Sequence, residues 1–488
     1  MKHILKRLLG IEIKEKWVAV LSVILMTLLM LPLIGLAFYS VPYFDDYLHI
    51  RFPKSFLLQY GGIDGWFQGV CYAVKSQYYA WQGTYSTQFI VSANPIILGE
   101  EYYGYSVIFV ILLFVGFSMF SVYRLTRRLL NMQTTSSWIM AVVVTVAMFE
   151  LIYTAQQGVY WFNGAIHYTL MHGIMLLMLT LAIEIFFVKT DIRALLLMIL
   201  VMLLGVVVAG SNFVTILQCF LALLTICFLG LFLKKKRIWF LLLPVCVYSW
   251  CLYKNISAPG NAVRASYFEG YGVVESILHS FKSAFLEFWN LSGFIMLVML
   301  LLVIPVIVNA VKKMDFSFRY PGLITIYSIC LYATGFTASY YGMGNSGVGR
   351  TWIVVKFTLQ LLLFVNEIYW VGWITKKLEV PITKHYLAYY ACLGGLAILI
   401  FGLTPDRIGT FSSFGALYYL YSGEAECFYK QYEQRLDEIK QGDEIVELKP
   451  YTCMPYFLCI GDLSTNPTDS ANSAIAQWYG KEAIYIKE

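Results

Sequence analysis

The sequence predicts an all-α polytopic membrane protein with about 11 transmembrane helices and a small α+β extracytoplasmic domain at its C-terminal end. Of its 488 residues, 59% are hydrophobic and 13% are charged, whereas soluble domains are roughly 45–50% apolar and about 25% charged. The mean hydropathy is +0.68. The apolar residues form continuous blocks of roughly twenty, the length that a helix needs to cross a bilayer. Because these blocks do not alternate with polar residues, helices are predicted rather than a barrel.

The apolar blocks define two predicted regions. Residues 1–404 form the transmembrane module, and residues 405–488 form the C-terminal domain. The first block is longer than the apolar region of a signal peptide, so we interpret it as a retained helix. The eleven predicted spans are 17–39, 105–123, 138–155, 167–188, 194–210, 213–233, 238–253, 291–311, 320–338, 351–374 and 385–404.

The distribution of basic residues predicts the orientation of the chain. With the N-terminus in the cytoplasm, the six inner segments hold 20 Lys and Arg, and the five outer loops hold 7 although they contain more residues in total. Basic residues favour the cytoplasmic side of a membrane. We therefore predict a multi-pass protein of the cell membrane with an extracytoplasmic C-terminus. Because the net charge of +6 comes from this loop pattern, nucleic-acid binding is not expected.

Three extracytoplasmic segments are predicted to be long enough to fold: 40–104, 254–290 and the C-terminal domain. The outer loop 40–104 carries an aromatic, weakly amphipathic stretch, typical of a helix in the membrane interface. In the C-terminal domain we predict a helix closed by Gly442, a strand beginning at Glu444 and a second strand in "KEAIYIKE". Cys453 and Cys459 either form a disulfide there or remain free thiols.

Adjacent carboxylates follow the first span in "SVPYFDDYLHI". Carboxylates so close to a bilayer are unfavourable unless they are used or neutralised. Because neighbouring residues point in different directions, we expect Asp45 and Asp46 to have different roles. One would act as a base while the other caps a helix or orients the loop; capping alone is the alternative. A divalent metal bound by Asp45, Asp46 and His49 is also left open.

Other distinctive residues lie in the predicted outer segments "YYAWQGTY", "YWFNGAIHY", "APGNAVRA" and "SYYGMGNSGVGR". Arg264 and Arg350 either grip a phosphate or extend to the interface as ordinary membrane arginines. Trp81 and Trp161 either stack on a sugar ring or anchor the chain in the interface. His167 is either a structural histidine or part of a site. Further candidate substrate contacts are Asn163 and Asn261.

The tenth span contains two ionisable residues, Lys356 and Glu367. Charged side chains are costly inside a bilayer unless they find partners. We therefore expect these two residues to pair within the helix bundle.

The ordered set "YFDDYLHI", "YYAWQGTYSTQF", "YWFNGAIHYTL", "APGNAVRA" and "SANSAIAQWYGKEAIYI" resembles a bacterial family of polytopic membrane proteins related to glucosyltransferases of the GT-C class. The similarity covers most of the chain. It departs at Thr84, where the family pattern after W-x-G usually has Arg, so no role of that Arg transfers to this chain.

The resemblance implies an inverting hexosyltransferase that moves a sugar from a polyprenyl-phosphate donor to a cell-envelope acceptor. It assigns the base to Asp45 or Asp46, and the phosphate contacts to Arg264 and Arg350. No cofactor is certain, and a divalent metal stays open. Two alternatives remain: a transporter or flippase of lipid-linked or small solutes, and a non-catalytic partner in surface polysaccharide assembly.

Overall fold

Long apolar helices dominate the structure, a computed structural model that describes residues 14–378, 389–390, 392–395, 397 and 411–487. Within that part of the chain, nine helices are long and apolar enough to cross a membrane. The polytopic, helical fold class is therefore confirmed. The nine are Glu15–Ala37, Glu100–Leu129, Phe162–Glu184, Asp191–Ala209, Phe213–Phe232, Trp239–Ile256, Val273–Val311, Pro321–Met343 and Thr351–Leu378.

Two of the eleven predicted spans are not among these nine. The third corresponds to the shorter apolar helix Thr134–Glu150, which at 17 residues is near the lower limit for crossing a bilayer. The eleventh, 385–404, lies mostly outside the described residues. The count of eleven therefore stays a prediction.

In chain order the helices are α1 (Glu15–Ala37), α2 (Phe44–Tyr60), α3 (Gly62–Ala80), α4 (Tyr85–Ser92), α5 (Tyr103–Leu129), α6 (Thr134–Glu150), α7 (Phe162–Glu184), α8 (Asp191–Ala209), α9 (Phe213–Phe232), α10 (Trp239–Ile256), α11 (Pro259–Ala265), α12 (Val273–Leu286), α13 (Phe288–Val311), α14 (Pro321–Met343), α15 (Thr351–Leu378), α16 (Ser412–Tyr421), α17 (Glu424–Gln441) and α18 (Ser470–Tyr479). Two strands, β1 (Ile445–Leu448) and β2 (Ala483–Ile486), complete the fold.

The predicted outer loop 40–104 is built mainly of helices α2, α3 and α4. A turn between α2 and α3 passes through Gly61 (φ 69°) and Gly62 (φ 61°), a backbone conformation that favours glycine. Helix α3 then packs closely on α2, because a Cβ at Gly69 would lie 2.6 Å from the Cα of Pro53. This close packing fixes the helix that carries the two adjacent aspartates.

The start of α7 departs from regular α-helix. Wide π-helical turns at Gln156–Tyr160 and Ala165–Leu170 flank the short segment Trp161–Gly164. Such turns are rare and occur frequently at functional sites. Here they present Trp161 and Asn163 to the same cavity as the aspartate-bearing helix.

The C-terminal residues form the predicted helix and strands. Helix α17 ends at Gln441 with Gly442 as its cap, and β1 pairs in parallel with β2, with Ile445 opposite Ala483. Of the two alternatives left open for Cys453 and Cys459, the disulfide between them does not form. Cys453 is bonded to Cys427 on α17, with their Cα atoms 5.9 Å apart, while Cys459 is free.

The C-terminal residues pack against the loop helices through the carboxylate of Glu100. This carboxylate accepts hydrogen bonds from three tyrosines on three helices: Tyr47 on α2 at 3.4 Å, Tyr432 on α17 at 3.1 Å, and Tyr479 on α18. Lys54 on α2 also donates to a backbone carbonyl of α18 at 2.5 Å. Helix α2 is therefore held from the side of α18 as well as by α3.

The expected pair in the tenth span does not form. Lys356 and Glu367 make no ion pair with each other within 4.0 Å, and both carboxylate oxygens of Glu367 lack a partner among the described residues. Both residues lie on α15, eleven positions apart, which is roughly 16 Å along a helix axis. That separation is too great for their side chains to meet.

Candidate functional site

A large cavity lies where the predicted outer segments meet. Its volume is about 1040 Å³, at the upper end of the range for small-molecule sites. The walls come from α2, α3, α4, α11, the start of α7 and the facing ends of α9, α10 and α14. The span ends supply an apolar wall that includes Phe213, Leu217 and Leu252. The remaining walls carry most of the polar groups.

The structure brings together nearly all of the residues predicted to form a site. Only Asp46, of the nine candidates, does not line the cavity. The eight that do are Asp45, Trp81, Trp161, Asn163, His167, Asn261, Arg264 and Arg350.

The two adjacent aspartates have different surroundings. Asp45 faces the cavity, where the side-chain amide of Asn163 donates to its carboxylate at 3.2 Å. Asp46 is 1% exposed. One of its oxygens accepts the backbone N–H of Tyr43 at 2.9 Å and the hydroxyl of Tyr103 at 2.8 Å. Asp46 therefore caps the first turn of α2, and Asp45 is the carboxylate that a ligand would meet.

Burial raises the pKa of both carboxyl groups. For Asp45, the charge of Arg350 and the hydrogen bond from Asn163 oppose the rise in pKa. For Asp46, burial raises the pKa to about 7, although the bonds from Tyr43 and Tyr103 lower it. A pKa near 7 suits a general base, but a base must first reach the proton that it removes. Only Asp45 meets that geometric condition.

Arg264 and Arg350, the two arginines predicted to bind a phosphate, both line the cavity. Neither has an ion pair within 4.0 Å in the described part of the chain. Arg264 donates to the side-chain oxygen of Gln82, and its guanidinium lies 5.6 Å from the ring centre of Trp81. Arg350 lies 5.8 Å from the ring centre of Trp161. Burial, and then the charge of Arg350, lower the pKa of Arg264, so an anion between the two arginines would be stabilised.

The Trp161–Gly164 segment offers polar groups without partners among the described residues. The indole nitrogen of Trp161 and the side-chain oxygen of Asn163 are both buried and unpaired. The hydroxyl of Thr84, which also lines the cavity, is unpaired as well. Buried polar groups in native proteins are nearly always satisfied. One donor, one acceptor and one hydroxyl therefore lie unsatisfied in residues that line the cavity.

Asn261 has a structural role in this arrangement. Its side-chain oxygen accepts the backbone N–H of Gly83 at 3.0 Å, and its amide donates to the carbonyl of Asn255 at 2.7 Å. A Cβ at Gly260 would lie 2.6 Å from the backbone nitrogen of Trp81, and one at Gly83 would overlap the carbonyl of Asn255. The turn after α3 and the start of α11 therefore meet backbone to backbone, which places Trp81 beside Arg264.

Two histidines line the cavity. His167 lies with its Nδ1 2.9 Å from the carbonyl oxygen of Asn163, so Nδ1 donates to that carbonyl. His49 contacts the side-chain amide of Gln88 at 3.1 Å. Burial, and then the charge of Arg51, lower the pKa of His49 to about 4, so this ring is neutral at pH 7.

The metal site left open by the sequence is not assembled in the described residues. They contain no group of three or more His, Cys, Asp or Glu side chains placed to hold a metal ion. Asp46 is directed towards Tyr103 and away from Asp45 and His49.

Sequence reasoning missed several residues of the site. Arg51 and Gln88 line the cavity, and Tyr103 supports Asp46. Positions 44, 45, 48, 49, 51 and 52 all line the cavity, which is one face of a helix. Recognising a helix over 44–60 would therefore have identified Arg51.

No protein-family model matches the chain, and no curated protein or solved structure matches it.

Proposed function

We propose that the chain is an inverting membrane glycosyltransferase of the GT-C type. It would transfer a hexose from a polyprenyl-phosphate donor to a glycan, lipid or protein acceptor on the outer face of the cell membrane. The observation that carries the proposal is a cavity lined by Asp45, Arg264 and Arg350, in which neither arginine forms an ion pair within 4.0 Å among the described residues. The proposal includes eleven spans, a cytoplasmic N-terminus and an extracytoplasmic C-terminal domain.

Asp45 is assigned as the general base. As the acceptor hydroxyl oxygen attacks the anomeric carbon, its proton passes to the Asp45 carboxylate. The bond between the anomeric carbon and the phosphate oxygen breaks, and the phosphate leaves with the electron pair. A single displacement of this kind inverts the anomeric configuration. Because phosphate is already a good leaving group, the mechanism needs no strong general acid.

Arg264 and Arg350 are assigned to the departing phosphate. Their charges are aimed at the group on which negative charge develops, and in a partly desolvated cavity such charges are more effective than in water. The unpaired groups of Thr84, Trp161 and Asn163 suit the hydroxyls of a sugar. The apolar wall from the span ends suits a prenyl chain.

The test compares cell-surface glycans and polyprenyl-phosphate sugars by mass spectrometry in four strains. These are the wild type, a deletion, and the deletion complemented with Asp45→Asn or with Asp64→Asn. Asp64 is an exposed aspartate on α3, outside the cavity, and serves as the matched control. We expect the deletion and Asp45→Asn to lose one surface sugar and to accumulate its lipid donor, while Asp64→Asn behaves as wild type.

Other results would favour the alternative functions. A flippase would be indicated if the deletion accumulated the lipid-linked sugar on the inner face of the membrane while the Asp45→Asn strain kept the wild-type surface glycans. Loss of a polymer while every sugar transfer remains intact would indicate a non-catalytic assembly partner. Either result overturns the proposed transferase.

A further inference from the structure

Asp46, on the helix that carries Asp45, is connected through Tyr103 to the start of α7. The hydroxyl of Tyr103 donates to Asp46 at 2.8 Å and accepts the backbone N–H of Phe162 at 2.9 Å. Tyr103 is 0% exposed and Asp46 is 1% exposed, so water does not compete for either bond. One hydroxyl therefore ties the start of α2 to the start of α7.

The same two helices are also joined on the cavity side. Phe162 is followed by Asn163, whose side chain donates to Asp45 at 3.2 Å. Asp45 and Asp46 are neighbours in the chain. The contacts therefore close a ring that runs from Asp46 through Tyr103, Phe162 and Asn163 to Asp45.

We infer that Asp46 is a positioning residue, which acts through Tyr103 to hold the Trp161–Asn163 segment in register with Asp45. This inference rests on the proposed function, because it assigns the base to Asp45 alone. Asp46 would touch neither substrate. Its carboxylate accepts both the Tyr43 N–H that begins α2 and the Tyr103 hydroxyl, so it sets the position of α2 and α7 together.

The chemistry of the ring predicts what each substitution does. Tyr103→Phe removes the hydroxyl, so Asp46 loses a donor and the Phe162 N–H loses its acceptor. Asp46→Asn keeps the shape but weakens the charge-assisted bonds. In both variants Asn163 and Trp161 are held less firmly relative to Asp45, because only the bond from Asn163 to Asp45 stays unchanged. A misplacement of about 1 Å costs on the order of 10²-fold in rate.

The experiment is a double-mutant cycle on Asp46→Asn, Tyr103→Phe and the double variant, with Asp45→Asn and Tyr248→Phe for comparison. Tyr248 is a buried tyrosine whose hydroxyl bonds the carbonyl of Ile216 at 2.9 Å, away from the ring. Membranes of each strain are assayed for transfer of the sugar lost in the deletion, with kcat and KM separated. Thermal unfolding of each purified protein in detergent is measured in parallel.

We expect Asp46→Asn and Tyr103→Phe each to lower kcat by about 10- to 100-fold with little change in KM. The kcat of the double variant should be no lower than that of the less active single variant. Asp45→Asn should lose more activity, and Tyr248→Phe should lose stability without the loss of kcat. The inference is overturned if Asp46→Asn is inactive while Tyr103→Phe has the wild-type kcat. It is equally overturned if both variants are fully active.

Failure of the proposed transferase function can be distinguished from failure of the inference about Asp46 and Tyr103. If Asp45→Asn retained full transfer, the transferase mechanism would fall, but the ring would still be tested by unfolding. Unfolding temperatures that shift non-additively in the Asp46/Tyr103 cycle support the ring as a structural unit. Additive shifts show that the two residues act independently, which overturns it.

Discussion

Two pairs of arginines lie near opposite ends of the helix bundle, and their surroundings differ. Arg124 and Arg128 on α5 share the carboxylate of Glu184, at 2.8 and 3.1 Å. Arg264 and Arg350 line the cavity and share no carboxylate within 4.0 Å in the described part of the chain. Helix α7 spans the distance between the two regions, from Asn163 at the cavity to Glu184, roughly 32 Å along its axis.

The presence of an ion-paired carboxylate distinguishes arginines with a structural role from arginines that are free to bind a ligand. Glu184 is only 5% exposed, and its two arginines neutralise it where α5 and α7 end. Such a pair needs nothing further. The cavity arginines instead repel each other across a partly desolvated space, a state that the fold tolerates at a cost. An anionic ligand would remove that cost, and the following predictions test this difference.

The largest effect on the affinity for a phosphate ligand is expected from Arg264→Gln. Loss of one charge-assisted hydrogen bond, about 1.5–3 kcal/mol, should weaken binding of farnesyl phosphate by about 10- to 100-fold. Binding would be measured by calorimetry on the purified protein in detergent, with farnesol as the uncharged ligand. Arg124→Gln is the matched control and should bind as wild type. Equal affinity for farnesol and farnesyl phosphate in the wild type would remove the role given to the cavity arginines.

A smaller effect is expected from Gln82→Glu, which would give Arg264 the carboxylate that it lacks. Because Gln82 already accepts a bond from Arg264, the substitution changes charge with little change in shape. Neutralising Arg264 should weaken farnesyl phosphate binding by about tenfold, the value of one such bond of about 1.4 kcal/mol. Tighter binding in this variant would contradict the prediction.

Removing the carboxylate shared by Arg124 and Arg128 should leave ligand binding in the cavity unchanged. Glu184→Gln removes the charge that Arg124 and Arg128 share, and should lower the free energy of unfolding by about 1–3 kcal/mol. Thermal unfolding in detergent would detect the loss. Farnesyl phosphate affinity should stay at the wild-type value, and a change in affinity would show that the two regions are coupled.

The pH dependence of kcat for the proposed transfer compares one arginine of each pair, Arg350 and Arg124. A base works only when deprotonated, so activity falls as the pH drops through the pKa of Asp45. Arg350 lowers the pKa of Asp45, and Arg350→Gln removes that influence. The fall in kcat should therefore begin at a higher pH in Arg350→Gln than in the wild type. Arg124→Gln should keep the wild-type profile; an unshifted profile in Arg350→Gln would separate Arg350 from the base.

The sequence predicted the membrane fold and most of the cavity because both depend on local signals. Apolar blocks of sufficient length predict membrane-spanning helices. Basic loops predict the cytoplasmic side, so the remaining loops, which carry the candidate residues, are predicted to share the other side. Arg264 and Arg350 stood out as lone charges in outer segments, and the structure places both at one cavity.

The features that were missed depend on contacts between distant parts of the chain. The partner of Cys453 lies 26 residues earlier, at Cys427, and connectivity cannot be read from spacing alone. Nothing near Tyr103 in the sequence indicates that it bonds Asp46, 57 residues away. Lys356 and Glu367 seemed natural partners only because they share a span, where helix geometry keeps them apart.

The close backbone contacts at Gly83 and at Gly260 have a consequence for ligand exchange. A Cβ at Gly83 would overlap the carbonyl of Asn255, and one at Gly260 would crowd the backbone nitrogen of Trp81. Because Asn261 on α11 also accepts the N–H of Gly83 and donates to the carbonyl of Asn255, we expect the turn after α3 and helix α11 to move as one body. Trp81 and Arg264 then keep a constant separation whether the cavity is empty or filled. Loading and release would not part these two elements, and a cross-link across that contact would leave the exchange rate unchanged.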